Sequence, residues 1–130
     1  MPTADPVEYE AATPEVKAVY DDILEKRGLK EVPNFWKTVA VHPPTLKRTW
    51  ETLEEVMAPG ALDPMVKEMI AVAVSATNGC EYCIRSHTAQ AKARGMTTEM
   101  HGELLAVIGM FNETNRLVTT LQVDVDEALK

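Results

Sequence analysis

Apolar residues recur at helical spacing along most of the chain. Val16, Val19, Tyr20, Ile23 and Leu24 fall at i, i+3, i+4, i+7 and i+8, which makes one apolar stripe on a helix. Thr13-Pro14-Glu15 ahead of the stripe combines an N-cap, a proline at the first helical position and an acid in the first turn. Arg27-Gly28 behind it supplies a cationic last turn and a C′ glycine. Residues 1–12 are small, acidic and proline-punctuated without sustained periodicity, and are predicted to form an arm.

The pattern restarts at Val32-Pro33-Asn34-Phe35-Trp36, with Asn34 as the expected cap of a short helix to about Val41 and His42-Pro43-Pro44 as its interruption. Leu46, Trp50, Leu53, Val56 and Met57 then keep helical spacing from Thr45 until Pro59-Gly60. Asp63-Pro64 repeats the cap-then-proline signal. From Met65 to Ala76 nearly every face is apolar or small, so this helix is predicted to be mostly buried. Asn78-Gly79 marks a turn, Cys80 to Arg94 reads as helix with Gly95 after it, and a last helix from Thr97-Thr98 to Leu121 is expected to bend near Gly109. Residues from Asp124 form an acidic tail. No segment alternates like a strand, so an all-α bundle of six to seven helices is predicted: arm 1–12, helical domain 13–123, tail 124–130.

Composition narrows the function. At 130 residues the chain has the length of one domain, able to bury roughly two-thirds of its unfolded surface. With 5% aromatics and seven methionines, the expected core is aliphatic and methionine-rich. Thirteen Lys and Arg against twenty Asp and Glu give a net charge of −7, which would repel a phosphate backbone and argues against nucleic acid as a partner. No apolar run approaches a membrane span and the N-terminus has no signal-peptide pattern, so a soluble, cytoplasmic protein is expected.

The only cysteines are Cys80 and Cys83. Cys80-Glu81-Tyr82-Cys83 places two thiols about one turn apart at a helix start, which permits a reversible disulfide, and the N-terminal dipole there favours thiolate. His87 lies four residues beyond Cys83 and seven beyond Cys80, so all three project from one helix face, and the imidazole can take a proton from a thiol. Glu68, in the preceding apolar helix, needs a partner there and would orient the ring if the turn at Asn78-Gly79 brought it to His87; spacing alone does not decide that. Helix position favours Cys80 as the attacking thiol, and proximity to His87 favours Cys83. Zinc held by Cys80, Cys83, His87 and Glu68, or inert buried cysteines, are the competing readings of the same residues. His42 and His101 lack comparable company and are expected to be structural or exposed.

Glu68-Met69-Ile70-Ala71-Val72-Ala73-Val74, then Asn78-Gly79-Cys80-Glu81-Tyr82-Cys83 and His87, resemble the core signature of the AhpD-like alkyl hydroperoxidases of the carboxymuconolactone decarboxylase superfamily. Val32-Pro33-Asn34-Phe35, Pro43-Pro44 and Phe111-Asn112-Glu113-Thr114-Asn115-Arg116 are similar to features of its peroxidase-related branch, so that the resemblance covers roughly residues 9–123. It implies an all-α fold with the active site on a helix hairpin, trimers or hexamers, and no cofactor or metal. It also implies reduction of a hydroperoxide or disulfide by a Cys80–Cys83 pair that an external dithiol reductant restores. Glu68 and His87 would form the proton relay, Cys83 would be the attacking cysteine and Cys80 its resolving partner. Tyr82 stands where the AhpD pattern has a second histidine; a phenol is a poor base at neutral pH but donates a hydrogen bond, so the relay is shortened and Tyr82 is auxiliary. The superfamily also holds lactone decarboxylases, which would use His87 and Glu68 as acid and base on a lactone or keto acid. These do not generally depend on a C-x-x-C, and its presence argues against that activity.

Overall fold

Helix starts are set by short local signals. The computed structural model describes residues 1–130 and contains six α-helices and no strand: α1 (Pro14–Arg27), α2 (Asn34–Val39), α3 (Pro43–Met57), α4 (Pro64–Asn78), α5 (Glu81–Ala93) and α6 (Thr98–Leu121). Short 3-10 turns lie at Tyr9–Ala11 and Glu127–Leu129. The side chains of Thr13, Asp63 and Thr97 each accept a backbone N–H of the first turn that would otherwise lack a partner, as expected for caps of α1, α4 and α6. No helix is long and apolar enough to cross a membrane.

Two starts differ from the expectation. Asn34 is the first residue of α2 rather than its cap, because the carbonyl of Pro33 already accepts from the N–H groups of Trp36 and Lys37. Pro43 and Pro44 open α3 instead of separating it from α2. Their missing N–H groups are first-turn groups with no helical partner, and His42 caps the helix by accepting the Thr45 N–H on Nδ1 at 3.3 Å.

The chain divides into two compact units, Met1–Ala58 and Pro59–Lys130. The core of the first is built from Val16, Tyr20 and Ile23 of α1, Trp36 of α2, and Leu46 and Trp50 of α3. The core is aliphatic as expected but contains no methionine; its few aromatic residues are concentrated instead. Trp36 meets Trp50 edge to face at 5.4 Å, and Tyr9 stacks on Tyr20 at 6.3 Å. Residues 7–12 of the expected arm are bound to this unit: Tyr20 donates its hydroxyl to the Val7 carbonyl, Val7 N–H reaches Lys37 O, and Ala12 is buried. Burial beside Glu8 pushes the Tyr20 hydroxyl up to about 12.

Trp50 also carries a polar bond into this core. Its Nε1 donates to Asp22 Oδ2 at 2.7 Å, and this bond, followed by the Lys26 ammonium, holds the Asp22 carboxyl below its usual value. A folded-state carboxyl held low stabilises the fold above its unfolded value, near 3.8, and loses that contribution as pH falls through the folded value. Trp50→Phe should therefore lower stability at pH 7 by about 1 kcal/mol beyond its packing loss, since the carboxylate is partly exposed. The gap between wild type and variant should narrow in urea titrations below pH 4, and a gap of constant size would show that the hydrogen bond contributes nothing.

In the second unit α4 packs against α5 and α6. Only Glu68, Val72 and Ser75 of α4 are buried, whereas Val66, Ile70 and Val74 are exposed, so the expectation of a mostly buried helix fails. The helix is apolar on more faces than its neighbours in the unit can cover. α6 runs as one helix through Gly109, with no buried residue.

Candidate functional site

The site is built on the hairpin of α4 and α5. Gly79 adopts the left-handed conformation at φ 72°, and its N–H and that of Cys80 return to the carbonyls of Ala76 and Ser75, closing the end of α4. A side chain other than glycine is strained in that conformation, so Gly79 fixes where the chain reverses.

The reversal leaves Cys80 as the N-cap of α5, one residue outside the helix expected to include it. Its Sγ accepts the Cys83 N–H at 3.3 Å, the cap bond that Ser or Asp makes elsewhere. Cys80 and Cys83 are joined as a disulfide, with Cα atoms 5.3 Å apart, and both are partly buried. The sulfurs are thus bonded to each other at the positive end of a helix.

The same hairpin brings together the pair that spacing left open. His87 Nδ1 lies 2.7 Å from Glu68 Oε2, from one turn beyond Cys83 on α5 to the second turn of α4. Glu68 is 3% exposed, and a carboxylate can only accept, so Nδ1 is the donor in this bond and Nε2 is the ring nitrogen outside it. The second carboxylate oxygen, Oε1, lies 3.9 Å from Nε of Arg94, the residue that ends α5. Arg94 does not stand out in the sequence, though its spacing of eleven from Cys83 returns to the same helix face.

Tyr82 is exposed in the first turn of α5. His42 serves as the cap of α3, and His101 lies in the first turns of α6, neither at this site. No three His, Cys, Asp or Glu side chains are grouped to hold a metal ion, and with both sulfurs in the disulfide the zinc arrangement is not formed.

The family model described as the carboxymuconolactone decarboxylase family matches residues 43–126, from the start of α3 past the end of α6. The chain belongs to the carboxymuconolactone decarboxylase family. Within it the fold is AhpD-like: the crystal structure of the alkylhydroperoxidase AhpD core from Rhodospirillum rubrum is 50% identical, with a TM-score of 0.94 over 99% of this chain and 97% of that one. An uncharacterized protein of Cupriavidus necator is 44% identical over 48 residues, 37% of this chain and 42% of that protein. Uncharacterized protein 4 in the cox locus of Paracoccus denitrificans is 42% identical over 52 residues, 40% of this chain and 47% of that protein. The matches to these curated relatives thus span less than half of their length.

Proposed function

We propose that the protein is a thiol-dependent hydroperoxide reductase that cycles Cys80 and Cys83 between dithiol and disulfide, with Glu68 and His87 as the proton relay. The observation that carries this is the 2.7 Å bond from buried Glu68 to His87 on the helix that begins with the disulfide. His87 Nε2 accepts the Cys83 thiol proton, and the thiolate attacks the terminal oxygen of ROOH. The O–O bond breaks, giving Cys83 sulfenic acid and an alkoxide that leaves as ROH with that proton. The Cys80 thiol then displaces the sulfenic oxygen as water, forming the disulfide, and an external dithiol reduces it by exchange. Tyr82 is an auxiliary hydrogen-bond donor in this scheme. The likeness to the alkylhydroperoxidase AhpD core of Rhodospirillum rubrum supports the chemistry. Consumption of hydrogen peroxide or a small organic hydroperoxide with dihydrolipoamide, thioredoxin or dithiothreitol as donor tests it; no turnover with any donor would overturn it.

The working unit we propose is a homotrimer or a homohexamer. In the second unit only Val72, Ala91 and Met96 are buried apolar residues, while Leu105, Val107, Met110, Phe111, Leu117 and Val118 of α6 are more than half exposed. Apolar surface of that extent is covered by other copies in a stable protein. Sedimentation at micromolar concentration should give three or six times 14.4 kDa, and a monomer would count against the assembly.

A further inference from the structure

Glu68 presents two carboxylate oxygens inside the α4–α5 hairpin, and the relay uses only one. Oε2 is bonded to His87 Nδ1 at 2.7 Å, and Oε1 faces Arg94 Nε at 3.9 Å. The two partners differ in kind. His87 exchanges protons, whereas a guanidinium keeps its charge at every pH the fold survives. Cys83 and His87 of α5 and its C-cap Arg94 stand at i, i+4 and i+11, within about 40° of one another around the helix axis, and the buried carboxylate lies against that stripe from α4. The backbone N–H of Arg94 closes α5 onto the carbonyls of Gln90 and Ala91, so the helix end is held by the main chain and its side chain is free of that task.

We propose that Arg94 is a positioning residue: its guanidinium holds the second oxygen of Glu68, so that the carboxylate stays an acceptor aimed at His87 Nδ1 and leaves Nε2 as the base. A carboxylate with one partner can turn about its last torsion or share the imidazole proton. A fixed cation on the far oxygen opposes both, because it stabilises the ionised form and one orientation of it. The separation of 3.9 Å is that of an ion pair rather than a direct hydrogen bond, and the Arg94 side chain is 43% exposed, so its contribution is orientation and charge rather than a large share of stability.

This role rests on the relay proposed above, but its test reads the imidazole directly. In full-length protein labelled with nitrogen-15, the His87 ring signals should report a single tautomer with Nδ1 protonated. Arg94→Gln should move those signals toward a mixture, and Arg94→Lys, which keeps the charge, should restore most of the wild-type pattern. In a Glu68→Gln background, the Arg94→Gln change should have no further effect on the ring, because the two act through one carboxylate. Peroxide turnover should fall about threefold to tenfold in Arg94→Gln, in line with a lost supporting contact rather than a lost base. Unchanged ring signals in Arg94→Gln, equal changes in the Gln and Lys variants, or an undiminished effect without Glu68 would each overturn the proposal. Absence of peroxide turnover in the wild type with the ring effects present would instead remove only the peroxidase reading.

Discussion

Cys83→Ser is expected to reduce peroxide turnover with a dithiol donor to the uncatalysed background, a loss of at least about a thousandfold. The serine hydroxyl neither ionises near neutral pH nor is oxidised to a sulfenic acid, so the first covalent step disappears rather than slows. Cys80→Ser should behave differently. Cys83 would still attack once and stop as a sulfenic acid, because the thiol that condenses with it is gone; trapping with a sulfenic-acid reagent, which displaces the oxygen as water, would leave one reagent adduct on Cys83 by mass spectrometry. The two variants together also decide the order of attack. Cys80 is the N-cap of α5 and its sulfur accepts the Cys83 N–H, a position that favours thiolate at Cys80. Cys83 lies one turn from His87, whose Nδ1 is fixed by Glu68. If the trapped sulfenic acid appears on Cys80 in Cys83→Ser and not on Cys83 in Cys80→Ser, the helix terminus governs and the two cysteines exchange roles.

Where a signal was local, the sequence was enough to place it. Thr13-Pro14 and Asp63-Pro64 mark their helices because a cap bond and a proline at the first position act within one turn. Pro43-Pro44 is ambiguous for the same reason, since proline both stops a helix and starts one, and only the His42 cap bond shows that here it starts α3. The exposure of α4 could not be read from its apolar pattern, because burial depends on what is packed against a face and not on the face. The candidate site shows the same division. Cys83 and His87 share α5, so their common face follows from spacing, whereas Cys80 is the cap just outside the helix and is joined to that face through the disulfide. Glu68 sits nineteen residues before His87, and whether the two meet depends on how Gly79 and the closing bonds to Ser75 and Ala76 reverse the chain. Arg94 carries no signature of its own, and its relation to Glu68 exists only once that reversal is made.

His87→Ala should slow turnover by about a hundredfold to ten-thousandfold, the usual contribution of a positioned base, and Glu68→Gln by a smaller factor of about ten to a hundred. The difference follows from what each atom does. Alanine removes the nitrogen that exchanges the proton. Glutamine keeps the shape of Glu68 and can still accept from Nδ1 through its amide oxygen, but it no longer supplies the negative charge that stabilises the imidazolium once His87 holds the thiol proton. The folded state should respond in a related way. In His87→Ala the 3%-exposed carboxylate loses its short bond and retains only Arg94 at 3.9 Å, so unfolding should be easier by about 1–3 kcal/mol. Glu68→Gln removes the buried charge while its amide oxygen keeps the bond from Nδ1, so its stability should lie closer to wild type while its rate does not. Added imidazole should restore part of the rate in His87→Ala and none in Glu68→Gln, because free imidazole can occupy the space of the missing ring but cannot supply a carboxylate. Wild-type rates in both variants would remove the relay from the mechanism and leave thiolate formation to the helix terminus at Cys80.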